Sequence, residues 1–436
     1  MNRAQSDEQP IWHTAVMPAL LLCLVKFAGV TLLTDQDISV GDRFVATTSG
    51  SSSTAIEGAF AYLTALILII IMAPRVRLIT EGLKSNWLLL SLPLLAAVSS
   101  VWSVDPFDSL RKSIWLLLST CFAIWMIECL SMERQMQLLI VTGFFCALLS
   151  VVAIVVWPQV GLDRLHEDAW QGVFTSKNHL GRIFLFLLLP GLHYPLSARG
   201  ARWIKWPYVV LMLSMIAMSR SRTAWLLTAV YLVFVVSIGP VMRTARRDRN
   251  LSLISVGLLL CLVSVIALAN LDSVLGAVGG DSTLNGRTVL WPALIRSVNK
   301  KPLLGYGYQA FWAPGSGEAT NAMIRIYTTM RFFASYAHSG YLAVLLDNGW
   351  LGMGLVALIA IRGMRDGLAR MLSAQDKSES WYLGIILLSV LYNIDEVTFM
   401  LPSYLPWVMF LLASASLHGM SKQATNVTFE PVTNCA

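Results

Sequence analysis

Apolar residues run in long blocks along this chain, and short polar stretches punctuate them. Twelve blocks are long enough to be read as helices crossing a hydrocarbon layer: 11–33, 56–73, 86–102, 113–130, 136–157, 179–196, 204–219, 223–239, 251–270, 338–361, 381–397 and 403–419. About 20 apolar residues, at 1.5 Å each, cross a bilayer core of roughly 30 Å. Backbone amides in hydrocarbon have no water to bond, so each segment must satisfy its own, and the pattern predicts helices rather than open strands. The expectation is an all-α polytopic membrane protein with about 12 transmembrane helices. The first block is too long for the core of a cleaved leader and has no clear small-residue cleavage site, so it is read as a retained span. Residues 1–270 then hold spans one to nine, 271–337 form one long loop domain outside the membrane, and 338–436 hold the last three spans and a tail.

The polar punctuation sets orientation. The stretch "VMRTARRDRN" carries Arg243, Arg246, Arg247 and Arg249, and "APRVRLITEGLK", "LSARGARWIK" and "IRGMRDGLARMLSAQDK" hold at least three basic residues each. Short loops rich in Lys and Arg stay in the cytoplasm. Alternation from there puts both termini in the cytoplasm. The opposite face receives the 34–55 loop, "SVDPFDSLRK", "GVFTSKNHLGR", "SRSRT" and the 271–337 segment, which contains a helical-looking "GRTVLWPALIRSVNKKP" and a turn-rich "GYGYQAFWAPGSGEA".

Composition agrees with this picture. A chain that is 56% hydrophobic and 13% charged, with mean hydropathy +0.65, is not a soluble domain. Its net charge of +7 is explained by topology and gives no nucleic-acid signal. Most of the cysteines, Cys23, Cys121, Cys129, Cys146, Cys261 and Cys435, sit in apolar runs without paired spacing and read as small hydrophobes. No phosphate-binding loop, metalloprotease signature or nucleophile elbow occurs in a credible context, and no acidic pair on the outer side is spaced to hold a metal. Neither a metal nor a cofactor is expected. The sequon "NVT" at 426–428 falls on the cytoplasmic side and is discounted.

Candidate chemistry gathers on the outer side. Lys177, Arg182, Arg220, Arg222, Arg287 and His338 all fall at or above outer ends of spans. Cations from separate segments can converge on one anion, and the arginine fork suits a diphosphate because it donates two parallel hydrogen bonds. Each can equally snorkel to lipid headgroups. His338 opens the tenth span. Its imidazole titrates near neutral pH and can take a proton from a hydroxyl, or it can simply bond the backbone at a helix start. Asp347 lies nine residues deeper, about 13 Å along the axis. A carboxylate there needs a partner, for which Lys26 in the first span is a candidate. Asp395 and Glu396 face either the site or water.

Five blocks in order, "GVFTSKNHLGR", "SRSRTAW", "LNGRTVLW", "KPLLGYGYQAFW" and "YAHSGYLAVLLDNGWLG", resemble those of the bacterial O-antigen ligase/polymerase superfamily over about residues 170–355. The wording of the first and fourth is most similar to succinoglycan-type exopolysaccharide polymerases. The resemblance implies a GT-C-like, metal-independent glycosyltransferase of the bacterial inner membrane, with its long loop in the periplasm. The donor it implies is a glycan on undecaprenyl diphosphate, and the acceptor a glycan or lipid A core. It implies a flippase and a chain-length regulator as candidate partners beside the lipid bilayer, and no nucleic acid. Arg222 and Arg287 match the family's diphosphate-binding arginines, with Arg220 beside them, and His338 matches its catalytic base. Lys177, Asn178 and His179 lie in a block that the resemblance connects with substrate binding. Ser176 stands where relatives often carry His, and Asp347 where they often carry Glu. Three functions stay open: a polymerase, an O-antigen ligase with lipid A core as acceptor, and a transporter or flippase, which twelve spans would also fit.

Overall fold

The computed structural model describes residues 10–30, 55–195, 201–247, 287–330, 336–373 and 380–427. The expected ninth span, 251–270, and the 34–54 stretch lie outside them. In chain order the described helices are α1 (Pro10–Phe27), α2 (Ala55–Met72), α3 (Val76–Ser85), α4 (Trp87–Val98), α5 (Pro106–Cys129), α6 (Met132–Val156), α7 (Lys177–His193), α8 (Ala201–Met218), α9 (Arg222–Arg247), α10 (Arg287–Lys300), α11 (Gly317–Met330), α12 (Gly340–Ser373), α13 (Trp381–Asp395) and α14 (Leu405–Val427). Among the described residues the strands are a two-residue antiparallel pair, Leu162–Asp163 with Ala169–Trp170, in the loop between α6 and α7.

Among the described residues, five helices are long and apolar enough to cross a membrane: Gly58–Ser85, Pro106–Cys129, Met132–Val156, Arg222–Thr244 and Gly340–Ser373. Shorter apolar helices accompany them at Val16–Phe27, Trp87–Trp102, Trp203–Met218, Trp381–Asp395 and Leu405–Gly419. The chain is a polytopic helical membrane protein. Its burial pattern has the polarity expected in lipid. α7, α13 and α14 form the centre and are buried nearly all round, from Leu180 to Gly191, Trp381 to Ser389 and Tyr404 to Leu417. The peripheral helices present large apolar side chains outward, such as Ile70, Leu148 and Val155. So wide an apolar exterior suits hydrocarbon and would aggregate in water.

A smaller core caps this bundle. Leu290, Leu294 and Val298 of α10 pack with Ala319, Ala322 and Ile326 of α11, with Tyr306 and Phe311 between, and with Leu346 of α12. The cap is joined to the bundle through a broken helix. At Gly349 the backbone of α12 leaves the helical region (φ 60°, ψ −161°). The break deprives the Leu346 and Asp347 carbonyls, and the Trp350 and Leu351 amides, of their helical partners. The segment after α10 gives each of these four groups a new partner. Tyr306 N donates to Leu346 O (2.8 Å) and Gly307 N to Asp347 O (3.0 Å), while Trp350 N and Leu351 N donate to the carbonyls of Pro302 (2.8 Å) and Leu303 (3.2 Å). Such close backbone approach leaves no room for side chains. A Cβ at Gly305 would stand 2.6 Å from Leu346 O, and one at Gly349 would collide with the Leu303 carbonyl. This is the physical content of the "GYGY" and "DNGW" wording.

The conformation at Gly349 is open essentially to glycine alone, and forcing another residue into it costs of order 1–3 kcal/mol before any clash is counted. Gly349→Ala is expected to lower the melting temperature of the detergent-purified chain and to weaken protease protection of α10 and α11. An unchanged melting curve would contradict the broken-helix junction.

Candidate functional site

The site is assembled around the end of α13. Asn393 shapes that end. Its amide donates to Ser389 O (2.7 Å), and its carbonyl oxygen accepts from the backbone N–H groups of Thr398 and Phe399 (2.9 Å each). The chain is thereby turned sharply after Asp395, and Glu396 is set in extended backbone (φ −144°). The same turn anchors the start of α12: Gly340 N donates to Glu396 O (3.1 Å) and Ser339 Oγ to Asn393 O (3.4 Å). His338 just ahead adopts a left-handed conformation (φ 46°), uncommon for a side-chain-bearing residue.

Two guanidinium groups and an imidazole from three other segments meet these carboxylates. Arg182, in the second turn of α7, donates through Nη1 to Val397 O (2.9 Å) and stands 3.6 Å from Glu396 Oε2, with its guanidinium 5.7 and 5.6 Å from the rings of Tyr392 and Tyr404. Arg287, the first residue of α10, pairs through Nη1 with Asp395, and its Nη2 lies 3.9 Å from Glu396 Oε1. Asp395 also accepts from the Thr223 hydroxyl of α9. His338 Nδ1 is 3.7 Å from Glu396 Oε1, and its ring lies over Tyr336 with centroids 3.8 Å apart. The Glu396 side chain is only 2% exposed, yet among the described residues neither of its oxygens has a hydrogen-bond donor. Burial raises its pKa, but His338, Arg182 and Arg287 outweigh that and hold the carboxyl below its ordinary value. Burial and the Glu396 charge push the Tyr336 phenol up, so it stays a neutral donor.

Arg182, Tyr336 and Glu396 line one side of a cavity of about 500 Å³. The lining also includes Asp105, Asp108, Arg111 and Lys112 at the start of α5, Gln309 and Trp312 of the turn-rich segment, and Asp347. Asp347 lies next to the break in α12. Its partners are the backbone amides of Gln309 and Phe311 and the charge of Lys112. Lys26, the partner considered from sequence, instead stands 5.4 Å over the Phe60 ring.

The structure divides the sequence candidates into two neighbouring groups. Arg287 and His338 join Glu396. Arg220, in a left-handed conformation (φ 48°), donates to Glu167 (Oε2 at 2.8 Å, backbone O at 3.0 Å). Arg222, at the start of α9, and Arg220 both bear on Lys177, whose pKa is lowered mainly by burial and further by these arginines. Thr223 connects the two groups through Asp395. Asn178 is half-buried in the first turn of α7. His179 turns inward, its ring stacked near Phe174 and Tyr404 and pressed against Gly29. Ser176 is the N-cap of α7 and accepts from His179 N (3.2 Å). Arg182, Asp395 and Glu396 were visible as polar residues near outer span ends but carried no assigned role. Arg111 and Lys112 were visible only as loop charges. Among the described residues no group of three or more His, Cys, Asp or Glu side chains is placed to hold a metal ion.

The sequence profile described as O-antigen ligase matches residues 207–357, from α8 to the middle of α12. Over that stretch the chain is similar to the O-antigen ligase family. Arg220, Arg222, Arg287, His338 and Asp347 fall inside it, whereas Arg182 and Glu396 lie outside. The chain is 26% identical over 325 residues to the exopolysaccharide production protein ExoQ of Rhizobium meliloti (strain 1021), covering 70% of this chain and 71% of that one. It is 24% identical over 242 residues to the general O-oligosaccharyltransferase of Acinetobacter baylyi (strain ATCC 33305 / BD413 / ADP1), covering 52% of this chain and 41% of that one.

Because folding lowers the Glu396 pKa, the stability it contributes is present above its unfolded value near 4.5 and is lost as pH falls through the lower folded value. The wild-type melting temperature in detergent is expected to drop as the medium is taken below that range. Removing the charge leaves Arg182 with the Val397 carbonyl and no carboxylate, and Arg287 with Asp395 alone, which costs up to about 3–5 kcal/mol by analogy with broken buried pairs. Glu396→Gln should therefore melt lower at neutral pH and show a flatter acid limb. An identical acid limb in both proteins would mean that Glu396 is not held charged.

Proposed function

We propose that this chain polymerises oligosaccharide repeats carried on undecaprenyl diphosphate into an exopolysaccharide, at the periplasmic face of the bacterial inner membrane. The observation that carries the reading is the convergence of Arg182, Arg287 and His338 on Glu396 at the edge of a cavity wide enough for a small glycan. The similarity to an exopolysaccharide production protein across most of both chains favours polymerisation. The positions of the basic loops favour cytoplasmic termini, which sets this face outward.

In this reading the diphosphate docks against Arg182 and Arg287, with Arg220, Arg222 and Lys177 forming a second cationic step beside them. Asn178 and His179 belong to the same wall as positioning residues. Pairing with Asp395 does not exhaust Arg287, because a guanidinium has five N–H donors in a fork. His338, with Nδ1 toward Glu396, presents Nε2 to the acceptor hydroxyl. The hydroxyl oxygen attacks the anomeric carbon, its proton passes to His338, and the bond from that carbon to the diphosphate breaks. Glu396 stabilises the imidazolium that results. The arginines stabilise charge growing on the departing diphosphate, as donors placed in advance of the reaction. One displacement inverts the anomeric centre, and the activated ester supplies the driving force without a metal or nucleotide.

A ligase would run the same steps with lipid A core as acceptor, and the family description keeps that reading in view. The two separate on product: free polymer for one, modified lipid A core for the other. His338→Ala is expected to lower polymer output by about 10²–10⁴, the usual worth of a general base. Arg287→Ala should lower it comparably. Both are to be measured in a deletion strain with the variants at wild-type protein levels. Full-length polymer at normal yield from both would refute the assignment.

A further inference from the structure

The two walls of the cavity differ in chemistry. On the Glu396 side, Arg182 and Arg287 are matched by Glu396 and Asp395, with the His338 imidazole beside them and Lys177, Arg220 and Arg222 close by, which suits phosphate. Elsewhere in the lining the carboxyl groups of Asp105, Asp108 and Asp347 accompany the two cations Arg111 and Lys112. Asp108 already pairs with both, with Lys112 Nζ at 2.7 Å. That wall has no surplus positive charge to offer a diphosphate. It offers carboxylate acceptors, the Gln309 amide, which both donates and accepts, and the Trp312 indole.

A pyranose presents the matching surface, with hydroxyls around its edge and C–H groups on its face. Trp312 is partly exposed and is held edge-on by Phe311, with centroids 5.0 Å apart and planes at 90°. Packing against Phe311 fixes the indole while part of it faces the cavity. Gln309 sits in a left-handed turn (φ 55°) whose amide is tied to Asp347. The turn thus aims both side chains at one space. The few convergent polar groups and one aromatic plate are the usual make-up of a small-molecule subsite.

Resting on the glycosyl-transfer reading above, we infer that this wall is the acceptor subsite, which holds a neutral, hydroxyl-bearing sugar over Trp312 with Gln309 and Asp347 on its hydroxyls. Acceptor and donor then enter from opposite sides, and the acceptor hydroxyl is brought toward His338. Asp347 would serve binding rather than proton transfer, since its carboxylate is already engaged by two backbone amides.

The test uses the full-length chain, with glycan product measured in a deletion strain and retention of undecaprenyl diphosphate measured on purified protein in lipid nanodiscs. Trp312→Leu should lower product at least tenfold, and Trp312→Tyr, which restores an aromatic plate, should recover most of it. Gln309→Gly removes the side chain where the backbone already favours glycine, so folding is preserved. It too should lower product at least tenfold. All three should retain undecaprenyl diphosphate as the wild type does. Normal product from Trp312→Leu and Gln309→Gly overturns the subsite. Loss of undecaprenyl diphosphate in those variants also overturns it, because the wall would then serve the donor or the fold. The donor reading fails by a separate result: no retention by the wild type, or equal retention by Arg287→Ala.

Discussion

A charged carboxylate out of contact with water costs several kcal/mol, and the outer half of this molecule is organised around meeting that cost at Glu396. Three cations stand 3.6, 3.9 and 3.7 Å from it. At an effective dielectric near 20, each charge pair at such a distance is worth roughly 4 kcal/mol, with His338 contributing fully only when protonated. The separations are longer than ordinary hydrogen-bonded ion pairs, and the attraction is shared rather than locked. The four residues come from α7, α10, the entry to α12 and the end of α13, so one carboxylate pins together segments far apart in sequence. A group that fixes position by charge without saturating any single donor leaves those donors able to turn toward a phosphate.

The second constraint is backbone. A helix broken within an apolar span must have its freed amides and carbonyls satisfied by protein. The turn after α10 does so bond for bond, and the small outer core is thereby fastened to the bundle. Because Gln309 and Trp312 follow directly on that turn, the same junction that repairs α12 positions one wall of the cavity. The charge cluster positions the other. The cavity therefore lies between two independently fixed walls.

Helix type and the apolar blocks were legible from the spacing of hydrophobic residues, since lipid imposes length and composition. The grouping of the cations was legible only in part. Arg287 and His338 were recognisable by resemblance to a family, but their meeting point was not, because Glu396 lies 109 and 58 residues further along. Arg182 was readable as one more interfacial cation; that it reaches Val397 depends on tertiary packing. Arg220 and Arg222 look equivalent in sequence. The left-handed backbone at Arg220 sends its side chain to Glu167, while Thr223 is the residue that meets Asp395. The depth of Asp347 correctly demanded a partner. The partner was loop backbone, however, and backbone carries no signature in a sequence.

The separation of walls bears on how one reaction serves different acceptors. The groups that would handle phosphate and proton sit on α7, at the start of α10 and at the adjoining ends of α12 and α13, where the arginine and imidazole positions are fixed by their contacts with the carboxylates. The opposing wall is carried by the start of α5 and by a turn-rich segment, which is held through its backbone at Pro302, Leu303, Tyr306 and Gly307 and through the buried side chains of Tyr306, Tyr308 and Phe311. Side chains at 309 and 312 are therefore free to differ without disturbing the break they help to cover. A scaffold of this kind can change the sugar it accepts while leaving the displacement itself untouched.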